Sequence, residues 1–141
     1  LNTADSDTFA NRMMPGAPCL DAPLIVDGRD DWLLARLGDS FVLLLFADRP
    51  LDEATRRALA GLADVPLPLR VLLVGPGPLP APPVGVSVVD HKGVAAARYD
   101  GQPGTCYLIR PDQHVAARWR ALDPARIRAA LARATAQEVL P

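Results

Sequence analysis

Two cysteines and two histidines are the residues of this chain most able to carry chemistry. Cys19 and Cys106 lie far apart in the sequence, which is neither a disulfide framework nor a metal-ligand spacing. Cys106 lies in an apolar run beside Tyr107, where a thiol is expected to pack inertly. Cys19 lies in a proline-rich segment and could be exposed and oxidisable, but no base stands near it. Two buried or half-buried thiols without a catalytic role are therefore the default expectation.

The histidines invite a metal or acid–base site, because His91 follows Asp90 and His114 lies near Asp112. Neither has a second histidine at the spacing of a metal-binding motif, and both stand in turn contexts. We therefore expect solvated turn histidines, with no catalytic, cofactor-binding or metal-ligating residue in this chain.

A glycine pair at Gly75 and Gly77 suggests a phosphate-binding loop. The prolines at 76, 78 and 80 remove backbone N–H groups that such a loop must offer, and no Lys-Ser/Thr pair follows. The proline run up to Pro83 could also be a polyproline II ligand for a partner. It lies between two predicted strands, which favours a rigid crossover at the surface.

Three arginines, Arg110, Arg118 and Arg120, cluster near the predicted hairpin. Arg118 and Arg120 share a strand face and could pair with acids on another surface, but a solvated face is the expected arrangement. The aromatic residues are few and scattered, which favours packing over a stacking platform for ligands. They are Trp32, Tyr99, Tyr107 and Trp119.

A strand, a helix and a second strand form the centre of the predicted fold. Phe41–Phe46 is a continuous apolar run, typical of a strand buried on both faces. Leu51–Ala63 has an apolar stripe at helical spacing, with acids in its first turn. Leu69–Val74 is a second buried strand. The three predict a right-handed βαβ unit.

The rest of the chain predicts shorter elements around this unit. Before it, Leu24–Val26 is a short apolar stretch, and Asp30–Leu37 is predicted as a short helix that ends at Gly38. After it come a third strand at Val84–Val89, a helix near Gly93–Tyr99, and a hairpin formed by Thr105–Ile109 and Val115–Trp119 around a type I turn. The last helix has Asp123 as N-cap and Pro124 at its first position.

This order of elements predicts an α/β, thioredoxin-like single domain. Residues 1–23 show neither helical nor strand periodicity and are predicted as an extended arm or linker, with the domain at 24–141. Redox-active proteins of this fold hold their nucleophilic cysteine where the first core strand meets its helix. Here Ala47–Asp52 contains no cysteine, serine or threonine, and Asp48 and Asp52 would raise a thiol pKa. Pro103 stands where the fold carries a cis-proline, and the sequence leaves its isomer open.

Composition limits the partners of the chain. Its 15 Lys and Arg nearly balance its 16 Asp and Glu, so there is no positive field to attract nucleic acid or acidic lipid. The longest apolar run, Phe41–Ala47, is far too short to span a bilayer, and the first residues do not resemble a signal peptide. We expect a cytoplasmic protein with no nucleic-acid or membrane partner.

The hairpin resembles a known family. Tyr107-Leu-Ile-Arg-Pro-Asp-Gln-His-Val-Ala-Ala-Arg118 is similar to a stretch near the end of FAD-dependent aromatic-ring hydroxylases of the phenol and 3-(3-hydroxyphenyl)propionate type. Three further pieces agree in order: Arg12–Pro18, Trp32–Leu44 and Asp90–Tyr99. Gln113 replaces the turn glycine that is usual in the family. The resemblance spans residues 12–120.

The resemblance implies that the chain is a non-catalytic C-terminal accessory domain with a thioredoxin-like fold and a role in subunit contacts. FAD and NAD(P)H are implied for the parent protein and no cofactor for this segment, because the family's Gly-x-Gly-x-x-Gly fingerprint is absent from it. The implied partners are the flavin-binding portion of the parent and a second copy in a homodimer. A free-standing thioredoxin-like redox protein and a protein-interaction module remain alternatives.

Overall fold

The computed structural model describes residues 1–65 and 67–139, and side-chain burial up to Ala136. Within these residues, seven strands form one mixed sheet with the order β2-β1-β5-β4-β3-β6-β7. The strands are β1 Pro23–Val26, β2 Arg29–Trp32, β3 Phe41–Phe46, β4 Leu69–Gly75, β5 Gly85–Val89, β6 Cys106–Ile109 and β7 Val115–Trp119. The helices are α1 Glu53–Gly61, α2 Val94–Tyr99 and α3 Pro124–Val139, with 3₁₀ turns at Leu34–Arg36 and Leu62–Asp64.

The predicted βαβ centre is confirmed. All six residues of β3 are buried, and β3 pairs in parallel with β4 and antiparallel with β6. A strand with neighbours on both edges and covered on both faces needs apolar side chains in both directions, which explains its unbroken apolar run. Asp52 is the N-cap of α1 and accepts a hydrogen bond of 2.8 Å from the Thr55 amide.

Alternate strand residues divide the core into two halves. Leu43 and Leu45 point towards α1 and α3, while Leu44 and Phe46 point towards α2 and the N-terminal arm.

The terminal helix begins as the sequence predicts. The Asp123 carboxylate accepts hydrogen bonds from the Ala125 and Arg126 amides at 3.0 and 3.3 Å.

The predicted helix at Asp30–Leu37 is wrong. Asp27 and Gly28 both have positive φ, 51° and 74°, and join β1 to β2 in an antiparallel hairpin. An Asp-Gly pair is a strong hairpin turn signal, and here it outweighs the helical spacing of the leucines that follow. Only the 3₁₀ turn Leu34–Arg36 remains helical, and Gly38, at a φ of 96°, follows it.

The two edges of the sheet are protected in different ways. At β7 the N-terminal arm supplies hydrogen bonds from the Thr3 amide to the Ala116 carbonyl and from the Gly16 amide to the Val115 carbonyl, at 2.9 and 2.7 Å. At the other edge, β2 carries the charged residues 29–31. Covered or charged edges discourage pairing with other chains. Before β1 the arm contains no helix or strand, but Met13, Cys19 and Ala22 are part of the core. The boundary at residue 23 stays a prediction.

Close approach requires glycine at one strand position. Gly85 on β5 faces β4 across the parallel pair, and a Cβ on it would lie 1.9 Å from the Val71 carbonyl oxygen. Because Gly85 has no side chain, β5 can pair with β4 directly after the proline crossover.

Candidate functional site

The junction of β3 and α1 forms a pocket at the position where thioredoxin-like proteins carry chemistry. The pocket has a volume of about 620 Å³, and its polar lining includes Asp48, Asp52, Thr55 and Arg120. No cysteine, serine or histidine lines it. Hydrogen bonds from Thr55 lower the pKa of Asp52, because that carboxylate serves as the helix cap. The junction therefore has no activated nucleophile.

Pro103 lies beside this junction, as the thioredoxin-like order predicts. It lines the junction pocket and also a neighbouring pocket of about 210 Å³. Within the described residues there is no cis peptide bond, so the peptide before Pro103 is trans. The smaller pocket is lined by the carboxylates of Asp48 and Asp90, while no lysine or arginine lines it.

The smaller pocket does not fit the pyrophosphate of FAD. Its lining carboxylates would repel a pyrophosphate, and Pro76 has no N–H to donate at the end of β4. Asp90 is occupied within the fold, since its carboxylate accepts hydrogen bonds from the Ala95 and Ala96 amides at 3.0 and 2.9 Å.

Both thiols are buried and protonated at neutral pH. Burial raises the pKa of Cys106 to about 12, and the charge of Asp7 adds to this effect. Burial likewise raises the pKa of Cys19 to about 12. The thiolate is the reactive form, so both thiols are weak nucleophiles. The expectation of buried thiols holds, and the alternative of an exposed Cys19 is wrong, because the Cys19 amide donates to the Gln113 carbonyl at 2.8 Å and draws the arm against the hairpin turn.

The two histidines lie apart in the structure. His91 is exposed in a turn, and His114 is half-buried with its Nδ1 2.9 Å from the Asp112 carbonyl oxygen. Among the described residues, no group of three or more His, Cys, Asp or Glu side chains is placed to hold a metal ion.

The expectation of solvated hairpin arginines is wrong for two of them. The Arg118 side chain is 4% exposed and the Arg120 side chain 24%. The alternative of pairing with acids on another surface is the one observed, and the surface belongs to the same chain. It is formed by the N-terminal arm and by Asp100.

Arg118 binds the arm through its whole guanidinium. Its Nε donates to Asp5 Oδ1 at 3.0 Å, and its Nη2 donates to Asp5 Oδ2 at 2.8 Å, which is a bidentate ion pair. Its Nη1 donates to Asn11 Oδ1 at 2.6 Å. Burial opposes the charge of Arg118, but the hydrogen bonds to Asp5 and Tyr107 raise its pKa overall.

Arg120 binds a second part of the arm. Its amide donates to Asp7 Oδ2 at 3.0 Å and its Nε to the Thr8 carbonyl at 3.1 Å. Its guanidinium also pairs with Asp100, whose Oδ2 accepts from the Ala10 amide at 2.9 Å. The Ala10 amide and Arg120 together lower the pKa of Asp100.

Phe9 lies between the two arginines. The Arg118 and Arg120 guanidinium carbons are 4.1 and 4.0 Å from the ring centroid, within cation–π range. The ring also packs edge-on against Tyr107, with centroids 5.8 Å apart. We call this set of contacts the clasp; its members are Asp5, Asp7, Phe9, Asn11, Asp100, Arg118 and Arg120.

Two tyrosines connect the clasp to the core. Tyr107 Oη donates to the Tyr99 carbonyl at 2.5 Å, and Tyr99 Oη donates to the Leu20 carbonyl at 2.6 Å. Burial raises the pKa of both hydroxyls, so they stay neutral donors. Both rings are fully buried and Trp119 is buried as well, so the prediction of packing aromatics is confirmed for these three. It is wrong for Trp32 within this chain, because that side chain lies on the edge strand β2 and is 55% exposed.

Sequence reasoning missed the arm half of the clasp, although a signal was present. The arm residues whose side chains contact the hairpin are every second one from Asp5 to Asn11, which is the period of an extended strand. Three of these four residues are polar. The alternation is therefore invisible to a search for hydrophobic periodicity.

Comparison with solved structures supports the fold. The flavin-dependent monooxygenase PieE, solved with FAD and substrate, is 25% identical with a TM-score of 0.63 over 93% of this chain and 22% of that chain. Aklavinone-11 hydroxylase, solved with FAD and aklavinone, is 23% identical with a TM-score of 0.66 over 94% of this chain and 24% of that chain. A thioredoxin-like protein from Bacteroides caccae is 19% identical with a TM-score of 0.59, over 84% of this chain and 49% of that chain.

The chain therefore has a thioredoxin-like α/β fold, and it spans about a quarter of the length of the flavin monooxygenases that it matches. No protein-family model matches the sequence, and neither does any curated protein. In the part of the chain that the structure describes, no helix is both long and apolar enough to cross a membrane.

Proposed function

We propose that this chain is a non-catalytic accessory domain of an FAD-dependent aromatic-compound monooxygenase. The proposal rests on how much of each chain the structural matches cover. The two flavin monooxygenases match 93% and 94% of this chain but only 22% and 24% of their own length. A segment that corresponds to one part of a larger enzyme can be a structural domain while the catalytic part lies elsewhere.

The chemistry of the junction supports the non-catalytic part of the proposal. The pocket between β3 and α1 has no cysteine or histidine in its lining, and burial keeps both thiols of the chain protonated. A free-standing thioredoxin-like redox protein would need a thiolate at this junction. The accessory role therefore agrees with the site better than the redox alternative does.

The proposal assigns FAD and NAD(P)H to the parent protein. FAD would supply the oxygen-activating chemistry there, in residues outside this chain. The proposed partners are the flavin-binding portion of the parent and, in a homodimer, a second copy of the parent chain. The cytoplasm is the proposed location. Light scattering on the parent tests the dimer, for which we expect twice the mass of one chain.

The coding region upstream of Leu1 provides the most direct test. We expect the reading frame to continue upstream into a flavin-binding segment with a Gly-x-Gly-x-x-Gly turn after its first strand. A start codon close to Leu1, with no flavin-binding region before it, contradicts the proposal.

Activity assays separate this role from the redox alternative. The purified chain and its Cys19→Ala, Cys106→Ala double variant should both fail to reduce insulin or turn over peroxide. Turnover by the natural chain that the double variant lacks would favour a redox enzyme instead.

A further inference from the structure

The N-terminal arm consists of two parts that are anchored differently. Residues 13–22 contribute Met13, Cys19 and Ala22 to the buried core. Residues 3–12, which we call the strap, contribute no fully buried side chain. The strap is held instead by the clasp and by the hydrogen bond from the Thr3 amide to β7. Its attachment is polar and aromatic, whereas that of residues 13–22 is hydrophobic.

The surface under the strap has a defined chemistry. It presents the guanidiniums of Arg118 and Arg120, the Tyr107 ring and an outward-facing carbonyl on β7, Ala116. Each of these groups meets a complementary one on the strap. We call this surface the strap groove.

The groove selects a ligand by position as well as by charge. The bidentate pair with Arg118 requires a carboxylate, which is Asp5 on the strap. An aromatic ring four residues later fits between the two guanidiniums. The Asp100 carboxylate accepts a hydrogen bond from the amide of Ala10, the residue that follows this ring, and so fixes the direction of the strap backbone.

We propose that the strap groove is a recognition site for an extended peptide in which acidic residues precede an aromatic one, and that the strap occupies it in cis and opens while the rest of the domain stays folded. The ligand to which we commit is the strap sequence itself, offered by the same chain or in trans. This inference goes beyond the accessory role and does not depend on it.

The strap can detach without unfolding the domain because the buried core stays in place when it leaves. The strap removes no fully buried side chain from the core: only the partly buried Phe9 ring leaves its packing there, and the guanidiniums that it uncovers can be hydrated. Just beyond its inner end, Met14–Ala17 form a turn that is closed by a 2.9 Å hydrogen bond from the Ala17 amide to the Met14 carbonyl. Gly16 in this turn has a φ of 94°, and the turn is pinned to β7, so the strap can detach from that point outward.

A labelled peptide of residues 1–13 tests the groove in the full chain. In the natural chain the strap competes at an effective concentration in the millimolar range, so the peptide should bind weakly. The full chain with Asp5→Ala and Phe9→Ala keeps the groove but weakens its own strap. We expect it to bind the peptide at least about tenfold more tightly, since a strap closed for about nine tenths of the time lowers affinity by that factor.

Two matched controls make the result specific. A peptide with the same two substitutions should not bind the strap-weakened chain. Adding Arg118→Met to that chain should abolish binding of the natural peptide. A strap-weakened chain with a native circular dichroism spectrum that binds the peptide no better than the natural chain overturns the proposal.

Hydrogen exchange on the natural chain tests the separate opening. The amides of Thr3, Ala10 and Arg120 should exchange faster than those of the central strands β3 and β4. Equal protection in both sets, or loss of the whole fold in the strap-weakened variant, would mean that the strap is an inseparable part of the domain and would overturn the proposal.

Discussion

Replacing Arg118 by methionine removes the centre of the clasp while keeping an unbranched apolar side chain. The substitution deletes the bidentate pair with Asp5, the 2.6 Å hydrogen bond to Asn11 and the contact with the Phe9 ring at 4.1 Å. Hydrogen bonds to charged groups contribute about 1.5–3 kcal/mol each, and a cation–π contact about 1 kcal/mol. Removing one partner of a fully buried ion pair costs about 3–5 kcal/mol.

The expected loss of stability for Arg118→Met is smaller than the cost of breaking a fully buried ion pair. The Asp5 side chain is 29% exposed and so remains partly hydrated without its partner, and methionine recovers part of the apolar burial. We therefore expect the free energy of unfolding to fall by about 2–3 kcal/mol. In urea this lowers the midpoint by about 1–1.5 M, measured by circular dichroism, because the slope for a domain of this size is about 2 kcal/mol per M.

Arg126→Met is the matched control. Arg126 pairs with Asp123 at 3.5 Å, and its side chain is 57% exposed, so its loss should change stability by less than about 0.5 kcal/mol. The cycle of Arg118→Met with Asp5→Asn should give a coupling energy of about 1–2 kcal/mol. If Arg118→Met shifts the urea midpoint no more than Arg126→Met does, our account of the clasp is refuted.

Three further predictions concern the thiols, acid stability and strand packing. Because burial raises the pKa of Cys106 to about 12, iodoacetamide at pH 8 should label it in urea but not in the native chain, as read by mass spectrometry. The pKa of Asp100 is lowered from 3.8 by the Ala10 amide and by Arg120, so its stabilising effect is present above the unfolded pKa and is lost as the pH falls through the folded pKa. Asp100→Asn should accordingly flatten the loss of thermal stability below about pH 4, and an unchanged acid profile would contradict this assignment. Gly85→Ala should cost about 1–3 kcal/mol in urea unfolding, since its Cβ would overlap a β4 carbonyl, whereas Gly77→Ala, with open space around it, should change little.

The elements with strong local signals could be predicted from the sequence. The unbroken apolar run of β3 and the Asp-Pro start of α3 each determine their element through burial on both faces or through capping, which local residues encode. The β1–β2 hairpin was also encoded locally, by Asp27 and Gly28, and was missed because the leucine spacing that follows resembles a helix.

The candidate site could be predicted only in part. The absence of a nucleophile at Ala47–Asp52 could be predicted, because the chemistry of that junction depends on residue type at one place in the chain. The burial of Cys19 could not be predicted, because it depends on a hydrogen bond to the hairpin turn, nearly a hundred residues away in the sequence.

The sequence by itself therefore determined the order of the central elements and the thioredoxin-like arrangement, since both follow from local patterns of apolar and turn residues. It also determined the lack of a dithiol, which follows from residue type alone. Only the tertiary structure decided where the hairpin arginines find their acids. The Asp5–Arg118 pair joins two ends of the chain, and charge complementarity across that separation has many candidate partners until the backbone brings one of them within hydrogen-bonding distance.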